Sequence, residues 1–166
     1  MEKAFLLYAS IAAVAMVLLV VCARMLARAG DVTGPRQATA WLLIVVATVI
    51  ALLWVGQLAG FYRDGPSPEY EAATSLFWLV KLLDLAIVIP LTGFVAILQH
   101  TPSAGSDAAA VVVLGFMSCL FLALLGMAVE MLRRDTPGAS WVLAIGALVL
   151  LVPTAALWGR WLLHRG

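Results

Sequence analysis

A lysine and an aspartate three residues apart, Lys81 and Asp84, stand in a run that is otherwise apolar from Leu76 to Ile89 and is closed by Pro90. A full charge at the middle of a membrane helix costs roughly 2.5–3.5 kcal/mol on insertion scales, so it needs either a partner or a purpose. On a helix the two residues share a face and can pair. The long Lys81 stem can snorkel toward the near membrane surface, whereas the short Asp84 carboxylate lies a turn deeper and stays there. Such an acid could carry a proton or hold a small polar ligand. Pro90 removes one intrahelical hydrogen bond and releases the carbonyl of Ala86, close below the acid.

Residues at matching depth on neighbouring segments complete a candidate ligand or proton site: Asp84 and Lys81, with Gln57 and Trp54 from the preceding segment, and Glu130 and Tyr62. For the pair itself a purely structural reading stands beside the functional one. At an effective dielectric of 20, a pair at 4 Å gains about 4 kcal/mol, close to its desolvation cost. Glu130 also has its own simple explanation, because Arg133 and Arg134 follow it at helical salt-bridge spacing.

The elements that must position these residues are membrane spans. The chain has 166 residues, 64% hydrophobic and 11% charged, with a mean hydropathy of +1.08. A soluble domain carries about 25% charged residues, so the expected class is an all-α integral membrane protein. Five apolar stretches, about 5–25, 39–61, 72–99, 108–132 and 139–163, are each long enough to cross a hydrocarbon core. They predict a five-helix transmembrane bundle with short loops and no soluble domain, a single transmembrane domain over 1–166. The first stretch reads as a retained helix, since Glu2 and Lys3 cancel and its basic residues, Arg24 and Arg28, come after it.

Arg24, Arg28 and Arg36 cluster around the first loop. By the positive-inside rule this loop is cytoplasmic, which puts the N-terminus outside the cell membrane and the C-terminus in the cytoplasm. Arg133 and Arg134 run against that orientation. Trp41, Phe61, Tyr62, Trp141, Trp158 and Trp161 fall near span ends, as an aromatic belt would. Gly56 and Gly60 form a GxxxG spacing, and Gly115, Cys119 and Gly126 follow one helical stripe, so all five are expected at helix contacts. Packing inside the bundle is the reading given to Gly56 and Gly60, ahead of a dimer face.

Several function classes fall away. No basic run interleaved with aromatic residues points to nucleic acid. Cys22 and Cys119 differ in depth and form no CxxC pair; His100 and His164 share one side but sit at helix ends, where a bis-histidine haem is not expected. No metal and no cofactor is expected. P-loop, GxSxG and HExxH patterns do not occur, and no nucleophile–base pair supports an enzyme. The expected surroundings are the lipid bilayer, with a homo-oligomer or a larger membrane complex as partner. An accessory or scaffolding subunit of such a complex is therefore the alternative to a ligand or proton site.

Trp54-Val55-Gly56-Gln57, then Lys81-Leu82-Leu83-Asp84-Leu85 and Pro90, resemble a family of small multi-pass prokaryotic membrane proteins of unassigned function. Its members carry Trp-x-x-Glu, then His-x-Leu-Asp-Leu with proline six residues after the acid. The resemblance covers about residues 50–130. It implies functional weight on Gln57, Lys81 and Asp84, with Gln57 standing where the family has an acid and Lys81 where it has a histidine. It implies no particular activity.

Overall fold

The computed structural model describes residues 34–66, 70, 74–101, 103–135 and 140–163, together with 17, 20–22 and 24. Among them every regular element is helical: α1 Arg36–Asp64, α2 Thr74–Leu83, a π-helical segment Asp84–Val88, α3 Ile89–Leu98, α4 Ala104–Arg133 and α5 Trp141–Leu163. Four stretches are long and apolar enough to cross a membrane, Arg36–Asp64, Phe77–Leu98, Gly105–Arg133 and Trp141–Leu163. They correspond to four of the five expected spans. Apart from the few positions named, the expected first span lies outside the described residues, as does His164.

The third expected span is not one regular helix. The ring at Pro90 would collide with the Ala86 carbonyl in a regular turn. The chain instead widens over Asp84–Val88, and the Ile89 N–H donates to the Asp84 carbonyl five residues back. Below the proline, buried Thr92 donates from Oγ1 to the Val88 carbonyl at 2.6 Å. The widened turn thus begins at the acid. Insertions of this kind re-aim side chains and recur at functional positions.

Helix α1 packs along α3, and α4 lies against α5. The core joins them through Leu43 and Val46 of α1, Val95 and Ala96 of α3, Leu114, Met117 and Phe121 of α4, and Trp161 of α5. In α1 the buried positions are Thr39, Ala40, Leu43, Val46 and Ala47, so its interior face lies in its first half. The end of the bundle near Arg36 is tied by polar contacts. Arg36 donates to Asp107 from Nε at 2.7 Å and from Nη2 at 2.5 Å, a two-pronged bond between the starts of α1 and α4. Trp161 donates from Nε1 to Thr39 Oγ1 at 2.9 Å, and its ring lies where a Cβ on Gly34 would be. Buried Gln99 donates to the Ser106 carbonyl at 2.9 Å, and Ser103 and Ser106 form a reciprocal cap on α4.

Trp161 is therefore a correction to the expected aromatic belt: it is fully buried, because its indole N–H finds an acceptor inside the bundle. Trp158 is half-buried and packs its ring over Gly115. Trp41 and Trp141 are exposed, and so is Tyr62. The 21 residue steps from Trp41 to Tyr62 span about 31 Å of helix, the thickness of a hydrocarbon core.

The expected small-residue contacts hold only in part. A Cβ on Gly115 would lie 3.0 Å from the Trp158 ring, so this glycine lets α4 and α5 approach. A Cβ on Gly56, Gly60 or Gly126 would meet nothing within 4 Å, and Cys119 is exposed. Among the described residues, then, no neighbour packs on Gly56 or Gly60. In α4 the buried face follows Leu114, Met117, Ser118 and Phe121, one position off the small-residue stripe. Lipid tails are as apolar as leucine, so shape rather than hydrophobicity chose between the two stripes.

Candidate functional site

Helices α1 and α2 run antiparallel in a regular register. From Trp54 the steps to Gln57 and Phe61 are three and four residues outward along α1; from Asp84 the steps to Lys81 and Phe77 are three and four back along α2. Each pair meets. Phe61 and Phe77 have ring centroids 6.0 Å apart, Lys81 Nζ donates to Gln57 Oε1 at 3.1 Å, and Trp54 Nε1 donates to Asp84 Oδ2 at 2.8 Å. The matched steps keep one face of each helix turned to the other.

Both charges find partners on α1, and Lys81 also has Phe77 on its own helix. The Lys81 ammonium lies 3.1 Å from the centroid of the Phe77 ring and 4.5 Å from that of Trp54. Cation–π contacts of this kind contribute about 2 kcal/mol when desolvated, and the hydrogen bond to Gln57 adds roughly 1.5–3 kcal/mol. Together these offset the insertion cost of the ammonium. Lys81 is 3% exposed, so its stem does not snorkel to the surface; aromatic faces and an amide oxygen solvate it inside the bundle. That overturns the expectation that lysine escapes while aspartate stays behind.

Asp84 is half-buried. Its carboxylate takes the Trp54 N–H, and its own carbonyl accepts the bond that closes the widened turn. Trp54 therefore serves both charges, with its ring face toward the ammonium and its N–H on the carboxylate. It lies eight residues from Tyr62, about 12 Å along the helix from the aromatic end of α1.

Four of the six expected site residues come together here: Trp54, Gln57, Lys81 and Asp84. The other two do not join them. Glu130 accepts from Arg134 Nε at 2.6 Å and from Arg133 Nη1 at 3.2 Å, both at the exposed end of α4. Tyr62 is 77% exposed and meets Phe61 edge to face. Phe77, which sequence reasoning passed over, is the nearest ring to the ammonium. Its signal was present, one turn before Lys81 on the same helical face.

Above the node the rings of Phe61, Tyr70, Phe77 and Trp78 pack mostly edge to face. Beside them a cleft of about 380 Å³ is lined by Gln57, Gly60, Phe61, Asp64, Gly65, Pro66 and Phe77. Gln57 and Phe77 belong to both cleft and node. No group of three or more His, Cys, Asp or Glu that could hold a metal occurs among the described residues.

No family model, no curated protein and no solved structure matches the chain. The class defined by fold and composition is an all-α bundle with four helices able to cross a membrane.

Proposed function

We propose that this is a multi-pass cell-membrane protein whose Lys81/Asp84 node, completed by Gln57 and Trp54, binds a small ligand or a proton. The carrying observation is that each charge is held from α1 at the point where the span widens into a π-helical turn. A merely tolerated charge pair needs no dedicated indole donor. With Arg24, Arg28 and Arg36 at the cytoplasmic side, the node lies in the outer half of the bilayer, and the C-terminus is cytoplasmic. Proton flux into liposomes holding the purified protein tests this reading: Asp84→Asn should abolish flux while the protein stays folded.

A second reading, an accessory or scaffolding subunit of a larger membrane complex, draws on the open faces of Gly56 and Gly60. Glycines at that spacing let another helix approach closely. Copurification of a stoichiometric larger partner supports this reading, and a stable lone oligomer opposes it.

A further inference from the structure

Four described groups around the Lys81 ammonium share one electrostatic character. Phe77 and Trp54 turn ring faces toward it, Gln57 offers Oε1, and the Asp84 carboxylate sits across the same indole. Ring faces carry the negative lobe of the aromatic quadrupole, and amide and carboxylate oxygens are acceptors. Without the ammonium, what remains is a receptor for a cation, built as aromatic cages for alkylammonium ligands are built. An anionic ligand would meet those same rings and oxygens before reaching the ammonium, which is enclosed at 3% exposure.

We infer that this cage is a cation site which the chain fills with its own Lys81, and that its ligand is a small alkylammonium compound that enters from the adjoining cleft and displaces the lysine. The inference rests on the reading of the node as a ligand site. Two cage residues, Gln57 and Phe77, also line the cleft, so a ligand in the cleft already touches the cage. At about 380 Å³ the cleft lies at the small end of ligand pockets. Among the described residues its one charged lining residue is Asp64, whose Oδ1 lies 3.9 Å from exposed Arg63. An acid in the cleft favours an incoming cation and gives the displaced ammonium an acceptor. Lysine stems on a helix lean toward its N-terminus, here toward the Phe77 end and the cleft.

The test uses the full chain, purified in detergent, with Lys81→Ala. That change removes the volume of a propylammonium ion. Thermal unfolding is followed with n-propylammonium, propionate and 1-propanol as probes. Propylammonium should raise the melting temperature of Lys81→Ala saturably, the other two should not, and adding Asp84→Asn should weaken the effect about ten-fold. Wild type should need far more propylammonium, because its cage is filled. If Lys81→Ala does not fold, Lys81→Arg and Lys81→Met decide: a cation cage keeps Arg near wild-type stability and loses stability with Met. Stabilisation by propionate would overturn the cation class while leaving a ligand site. Equal action by propanol and propylammonium would reduce the cage to an apolar hole. No response to any probe, with Met at least as stable as wild type, would overturn the inference and the ligand-site reading together.

Discussion

The indole nitrogen of Trp54 donates to Asp84 Oδ2 at 2.8 Å, across thirty residues of sequence, while the face of the same ring lies 4.5 Å from the Lys81 ammonium. One side chain thus addresses two opposite charges through two different parts of its surface. Trp54→Phe should keep most of the ring face and lose the donor. An acceptor left without its charge-assisted bond costs roughly 1.5–3 kcal/mol, so thermal unfolding should show a loss of that size. Trp54→Ala should cost more, since it removes the ring as well.

Replacing Lys81 by Met and Asp84 by Leu together should be close to neutral for stability, as it is for many buried pairs, while either single change leaves a charge uncompensated and destabilises by about 3 kcal/mol. Since Lys81 is enclosed rather than snorkelled, both single changes should be felt, Lys81→Met no less than Asp84→Leu. A double-mutant cycle on thermal stability measures this directly.

Glycines separate into tight and open positions. Gly34→Ala should push the fully buried Trp161 ring off Thr39, and Gly115→Leu should wedge α4 from α5 at Trp158; each should cost about 1–3 kcal/mol. Gly56→Leu should leave monomer stability unchanged, because a side chain there meets none of the described residues. A loss of oligomeric size on Gly56→Leu, read by gel filtration in detergent, would report a second copy on that face.

Asp107→Ala should destabilise by roughly 1.5–3 kcal/mol, the loss of a charge-assisted bond, and by less than Arg36→Ala, because Arg36 is 31% exposed while the Asp107 that Arg36→Ala strands is 3% exposed. Thermal unfolding checks it, with Arg36→Ala as its counterpart.

Four of the five spans were legible because length and hydropathy are direct readouts of a bilayer's thickness, and the node was legible because its two charges break an apolar run. Trp54 and Gln57 could be placed beside it because a short loop makes α1 and the next helix antiparallel, which fixes depth. The Arg36–Asp107 bond was not legible. Its partners are 71 residues apart, and each reads as an ordinary charged residue at a span end. Trp161 looked interfacial for the same reason: position along a span gives depth but not which way the side chain points. The widened turn at Asp84 followed from Pro90 in principle, yet a released carbonyl leaves open whether the helix kinks, breaks or widens.

The most direct test of the account is proton flux into liposomes containing the wild-type protein or Asp84→Asn, with thermal unfolding measured on the same samples. Asp84→Asn should stay folded, with a melting temperature lowered by the Lys81 charge it leaves uncompensated, and should lose the flux that the wild type shows. Flux equal to that of the wild type in both Asp84→Asn and the Lys81→Met/Asp84→Leu double variant would contradict this reading and leave Asp84 a structural residue.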